Sequence, residues 1–161
     1  MRKGTIMRKV YLVLAWALVV EVVIQAGAIA LGMGALSHHV SEGGVVDKAS
    51  LEDRELSWVG EIGFPIHFIN GGLVVPLLAL ALLVVSFFAH VEKGRRVAGV
   101  VFVLILVQST LGYSITDSPY VGAIHGANAL LVFGASLYAA RLARVSASAV
   151  VAAKAYEDAR S

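Results

Sequence analysis

The stretch Glu61-Ile-Gly-Phe-Pro-Ile-His-Phe-Ile-Asn-Gly-Gly-Leu-Val-Val-Pro-Leu-Leu-Ala-Leu-Ala-Leu-Leu-Val-Val-Ser-Phe-Phe-Ala89 decides how the rest of the chain is read. As a helix it is long enough to cross the roughly 30 Å hydrocarbon core of a bilayer. Yet its first third carries His67 and Asn70 three residues apart, with Gly63 and Gly71 one turn to either side of the histidine. Pro65 falls in the first turns, where a missing N–H matters little. Pro76 falls mid-helix, so a kink is expected there, with the Gly72 carbonyl left without its helical donor.

The composition extends that reading to the whole molecule. Of 161 residues, 58% are apolar and only 15% charged, and the mean hydropathy is +0.82, which marks a multi-pass membrane protein rather than a water-soluble domain. Four spans are expected, at about residues 10–34, 61–89, 98–116 and 120–141. The first follows Arg2, Lys3, Arg8 and Lys9, as a signal peptide would, but its apolar run outlasts an h-region of about 7–15 residues and reads as a retained helix. Cysteine is absent, which excludes disulfides and thiolate ligands and leaves histidine as the main ligand type for iron or another transition metal.

Net charge is +2, but its distribution is more telling. All Lys and Arg except Lys48 and Arg54 lie in the N-terminus, the Glu92–Arg96 turn or the region from Arg141 onward. The positive-inside rule then places both termini and the middle turn in the cytoplasm and the acidic 36–59 loop outside. Such cations mark topology and contact with the lipid bilayer, and no nucleic acid is expected as a partner.

Along the chain, Glu21 and Gln25 share one face of the first span, near small Gly27, Gly32 and Gly34. A carboxyl at that depth is either a neutral acid bonded across the bundle or part of a proton relay or cofactor contact. His38 and His39 sit beside Glu42 as a candidate metal triplet or simply as interfacial residues. Residues 45–56 suit a short amphipathic surface helix, and His90 suits the interface at the cytoplasmic end. Residues 145–161 form a cytoplasmic tail, either a helical extension or disordered. Trp58, Tyr113 and Tyr120 suit an aromatic belt at the outer boundary.

Gln108, Gly122-Ala-Ile-His125-Gly-Ala-Asn128 and small Gly126 echo Gln25 and the His67–Asn70 pair. The expected architecture is therefore an all-α integral membrane four-helix bundle whose hairpins repeat about a pseudo-two-fold axis. Counted from Glu61 and Tyr120, His67 and His125 both lie roughly 8–9 Å below the outer boundary. Gly63, Gly71, Gly122 and Gly126 would leave room beside the rings for a flat ligand. Paired neutral imidazoles in a helical bundle suit haem iron, with Gln25, Asn70, Gln108 and Asn128 available to hold the second ring nitrogens. Lys48 and Arg54 are the cations available to haem propionates. The bland alternative is that the same polar groups bind one another as interhelical glue.

These residues resemble one four-helix half of the haem A synthase family, and related small four-helix bacterial membrane proteins. The matching segments are Val-Val-Ile-Gln25-Ala-Gly, Pro-Ile-His67-Phe-Ile-Asn-Gly and Ile-His125-Gly-Ala-Asn-Ala-Leu-Leu-Val-Phe-Gly, within about Tyr11–Arg144. The resemblance implies histidine-ligated haem in a bacterial cytoplasmic (inner) membrane. It does not carry over the reaction, because Phe64 and Phe68 stand where that family has a glutamate and an arginine. The expected protein is thus a cytochrome-like haem b carrier with His67 and His125 as axial ligands, acting in electron transfer or as a subunit of a respiratory complex. A membrane partner or a second copy, and a quinone, are its candidate associates. A haem-free accessory subunit and a synthase-like enzyme are the alternatives.

Overall fold

The computed structural model describes residues 2–47, 49 and 59–159, and among them there is no strand. Helix α1 is Arg2–Ser41. Helix α2, Gly63–Ser86, is α-helical over Gly63–Ile69, π-helical over Asn70–Val74 and α-helical again over Val75–Ser86. Helices α3, Gly94–Tyr113, and α4, Pro119–Asp158, complete the order. All four contain windows long and apolar enough to cross a membrane, so the chain is an all-helical multi-pass membrane protein.

Two helices run well past the apolar windows that announced them. At 40 residues each, α1 and α4 are about 60 Å long, roughly twice the hydrocarbon thickness. Helical propensity does not stop where hydropathy does, and the Ala-rich sequence after Arg144 continues as helix to Asp158. The start of α4 is set locally. Pro119 takes the first helical position, the Ser118 hydroxyl accepts from the Tyr120 N–H at 3.3 Å, and the Ser118 carbonyl accepts from Val121 N–H at 3.0 Å. The α2–α3 turn passes through left-handed backbone at His90 (φ 50°) and Lys93 (φ 59°). His90 is exposed there, its Nδ1 lying 2.9 Å from the Phe88 carbonyl.

The chain divides into two compact units, Met1–Val22 with Val75–Ser161, and Val23–Val74. In the larger unit parts of all four helices form one core. It contains Tyr11, Ala15 and Leu18 of α1, Val75, Ala79 and Leu82 of α2, Ala98, Val101 and Ile105 of α3, and Val132, Ala139 and Ala143 of α4. Steps of three and four residues separate the members of the sets on α1, α2 and α3, and steps of seven and four those of the set on α4, the spacing of knobs-into-holes packing. Alanine is the commonest residue in these seams, while larger Val13, Val20, Leu77, Val84, Val103, Leu130 and Leu131 point outward. This inversion of the water-soluble pattern belongs in lipid, where close van der Waals fit rather than escape from water holds helices together. A buried Tyr11 hydroxyl donates to the Gly94 carbonyl at 3.1 Å, tying α1 to the first turn of α3.

In the smaller unit, the second half of α1 packs on the start of α2 through glycine. A side chain on Gly63 would strike the Ala28 carbonyl and the Gly32 backbone, and one on Gly32 would meet the Phe64 ring at 3.1 Å. The two backbones approach closely there.

Candidate functional site

The polar residues singled out in the sequence collect into two sets, each within one unit and each built from a Gln on one helix and a His-x-x-Asn on the next. In the larger unit, Gln108 of α3 meets His125 and Asn128 of α4. The His125 Nδ1 lies 3.1 Å from the Gln108 main-chain carbonyl, and its Nε2 lies 3.0 Å from the Gln108 side-chain nitrogen. A carbonyl can only accept, so Nδ1 carries the proton and Nε2 accepts from the amide; the ring is a neutral imidazole in one tautomer. Asn128, 7% exposed, donates from Nδ2 to the Gln108 side-chain oxygen at 2.7 Å and to the Leu104 carbonyl at 2.9 Å. His125 and Asn128 cooperate because residues three apart share a helix face.

The seat for the His125 ring is Gly112, four residues beyond Gln108. A Cβ there would lie 3.2 Å from His125 Cε1. Sequence reasoning missed Gly112, although its place one turn from Gln108 on the same face was a usable signal.

In the smaller unit, Gln25 of α1 meets His67, Asn70 and Gly71 of α2. The His67 Nδ1 lies 3.0 Å from the Gln25 main-chain carbonyl. The Gln25 carboxamide is oriented as its neighbours require, oxygen toward donors and nitrogen toward acceptors. Its oxygen then accepts from Gly71 N–H at 3.1 Å and Asn70 Nδ2 at 3.0 Å, while its nitrogen donates to the His67 carbonyl at 2.9 Å and faces His67 Nδ1 at 2.8 Å. Gln25 thus addresses one ring nitrogen twice. The carbonyl suits the Nδ1–H tautomer and the amide suits the Nε2–H tautomer.

That carboxamide also explains the π-helical turn. In an uninterrupted α-helix the Gly71 N–H would bond the His67 carbonyl; here the Gln25 side chain takes both groups. A side chain inserted into the ladder, with Pro76 unable to donate to Gly72 just beyond, forces the wider turn at Asn70–Val74. Pro76 alone suggested a kink; the π turn needed Gln25 as well.

The other expected site residues are placed differently. Gly63 and Gly71 leave no open room, since Gly63 is filled by the α1 backbone and a Cβ on Gly71 would meet the end of the Gln25 carboxamide at 3.0 Å. Among the described residues, a Cβ on Gly122 would meet Ile115 at 3.7 Å, and one on Gly126 would meet nothing within 4 Å. Lys48 and Arg54 lie outside the described residues, as does most of the expected 45–56 surface helix. His38 makes an exposed contact of 3.6 Å with Glu42, and among the described residues no group of three His, Asp or Glu could hold a metal ion. A pair of imidazoles on haem iron does not require such a group.

Comparison with protein-family models, curated proteins and solved structures returned no match.

Proposed function

We propose that this is a b-type cytochrome-like membrane protein in which His67 and His125 are the axial ligands of one haem. The observation that carries the reading is shared by both histidines: each Nδ1 lies against the main-chain carbonyl of a glutamine on the preceding helix. That carbonyl suits the Nδ1–H imidazole, whose Nε2 is then the basic nitrogen a metal-bound histidine needs; at His67 this requires the Gln25 amide, 2.8 Å from the same Nδ1, to turn away. Haem would supply one-electron chemistry. The protein's residues would hold the rings neutral, orient them and keep water away. For His125 the Gln108 amide must swing off Nε2 as the ligand enters.

The common Gln/His-x-x-Asn pattern supports a pseudo-two-fold repeat of hairpins, and the basic clusters support an N-in, C-in topology in a bacterial cytoplasmic membrane. In that setting the protein would serve a respiratory or redox assembly, with a membrane partner or quinone completing electron transfer. A synthase-like reaction is disfavoured by Phe64, whose ring packs at Gly32 where the resemblance would place an acid.

A second reading has its own support. Gln108 contacts both His125 ring nitrogens and accepts from Asn128, so the set can serve as interhelical glue in a haem-free accessory subunit. Visible spectra of detergent-purified protein, oxidised and dithionite-reduced, decide between them. A Soret band that His67→Ala and His125→Ala each abolish or reshape, and that His90→Ala leaves alone, is expected. No Soret band after expression with ample haem refutes the cytochrome reading and favours the accessory one.

A further inference from the structure

The two polar sets share a pattern but are not chemically equivalent. At His125 one tautomer satisfies both glutamine contacts: Nδ1–H donates to the Gln108 main-chain carbonyl at 3.1 Å, and Nε2 accepts from the Gln108 amide at 3.0 Å. At His67 both partners converge on Nδ1, the Gln25 main-chain carbonyl at 3.0 Å and the Gln25 carboxamide nitrogen at 2.8 Å. If Nδ1 carries a proton, it donates to the carbonyl but opposes the amide N–H. If it does not, it accepts from the amide but turns its lone pair on the carbonyl. Neither neutral tautomer satisfies both.

The carboxamide cannot resolve this conflict by exchanging its ends. Its nitrogen also donates to the His67 carbonyl at 2.9 Å, which only accepts, and its oxygen accepts at 3.1 Å from the Gly71 N–H, which only donates. These backbone groups fix the nitrogen toward His67 whatever the ring does. Two resolutions remain. With the carboxamide inserted, Nδ1 accepts from it, the ring proton sits on Nε2, and the wide turn at Asn70–Val74 is held. With the carboxamide withdrawn, Nδ1–H donates to the Gln25 carbonyl and Nε2 becomes the basic nitrogen. The Gly71 N–H and the His67 carbonyl then pair with each other as in an ordinary α-helix. Room for the inserted state depends on Gly71, where a Cβ would lie 3.0 Å from the end of the carboxamide.

We propose that Gln25 is a switch coupling the tautomer of His67 to the winding of α2, so that taking a ligand at His67 Nε2 re-forms the α-helical bond at Gly71. In the inserted state Nε2 carries a proton and has no lone pair to offer a metal; in the withdrawn state it has one. His125 has no such switch, because its proton stays on Nδ1 when the Gln108 amide swings away. A ligand that binds only the withdrawn state draws population into it, and its apparent affinity falls with the fraction already there. Haem as that ligand rests on the cytochrome reading; the coupling of tautomer to helix does not.

The test uses the full chain in nanodiscs with isotope-labelled histidine, His67 being assigned by its loss in His67→Gln. Ring-nitrogen NMR reads the tautomer and amide hydrogen exchange reads the bond at Gly71. In Gln25→Leu, His67 should become the Nδ1–H tautomer and exchange at Gly71 should slow. Gly71→Ala, which crowds the carboxamide without removing it, should move both readouts the same way, with exchange at position 71 corrected for its intrinsic rate. Gln108→Leu should leave His125 as Nδ1–H, because its carbonyl partner is main chain. Haem added to the parent should slow Gly71 exchange. Gln25→Leu should bind haem about tenfold more tightly or better, the factor for a withdrawn state populated at roughly a tenth or less in the parent. A His67 tautomer or a Gly71 exchange rate unchanged by Gln25→Leu overturns the switch; if that variant fails to give helical protein by circular dichroism, Gly71→Ala decides in its place. A Soret band in the parent without slower Gly71 exchange overturns the coupling and leaves the haem reading standing. Absence of the band refutes the haem reading, and the ligand-free tautomer and exchange measurements still decide the switch.

Discussion

Single atoms decide what the glycines do. A methyl group on Gly63 would press on the main chain at Ala28 and Gly32, which cannot rotate aside. Gly63→Ala should therefore cost about 1–3 kcal/mol, the usual range for overpacking. At Gly34, in the same unit, a methyl group would meet nothing within 4 Å among the described residues; Gly34→Ala should be neutral or stabilise by up to about 1 kcal/mol through helix propensity. Denaturation of the detergent-solubilised pair, followed by circular dichroism, checks the contrast. Asn128 offers a second test. Its side chain makes two interhelical bonds, each worth about 0.6 and at most about 1.7 kcal/mol in membrane proteins. Asn128→Leu should lose roughly 1–3 kcal/mol by the same assay, with any Soret band retained if His125 keeps its carbonyl partner.

At the scale of elements, α2 is shaped by a residue that does not belong to it. Gln25→Leu removes the carboxamide from between His67 and Gly71, so the α-helical bond between those groups should re-form despite Pro76. The expected outcome is slower amide hydrogen exchange at Gly71, read by mass spectrometry or NMR; unchanged exchange would show that Pro76 alone sustains the π turn. This element also marks what was legible in the sequence. His67, Asn70, Gln25, His125, Asn128 and Gln108 stand out because polar side chains in apolar helices demand partners, and the structure gathers each three together. Gly112 did not stand out, because a missing side chain becomes meaningful only when the facing ring and its register are known. The Gln25 insertion was hidden for the same reason. Glycines expected to make room for a ligand were ambiguous in sequence, since an absent side chain serves a close backbone approach equally well.

For the molecule as a whole, four apolar spans followed directly from hydropathy, whereas the lengths of α1 and α4 did not, because polar and Ala-rich flanks continue helices beyond any hydrophobic window. Sidedness rests on the basic clusters. The lack of native cysteine allows a clean measurement: Val45→Cys should react with a membrane-impermeant maleimide added to intact cells, whereas Ser161→Cys should react only after permeabilisation. The reverse pattern would invert the topology.

The closed hydrogen bonding of each hairpin has a consequence for how the chain is made. The first span alone would present the Gln25 carboxamide to hydrocarbon, and the third alone would present that of Gln108. In both cases the groups that satisfy it arrive on the very next span to be synthesised. Polar groups in lipid are costly until paired, so release from the insertion machinery should be favoured two spans at a time, α1 with α2 and then α3 with α4. Biogenesis would then proceed in two steps, each delivering a polar-neutral pair to the bilayer before the next begins.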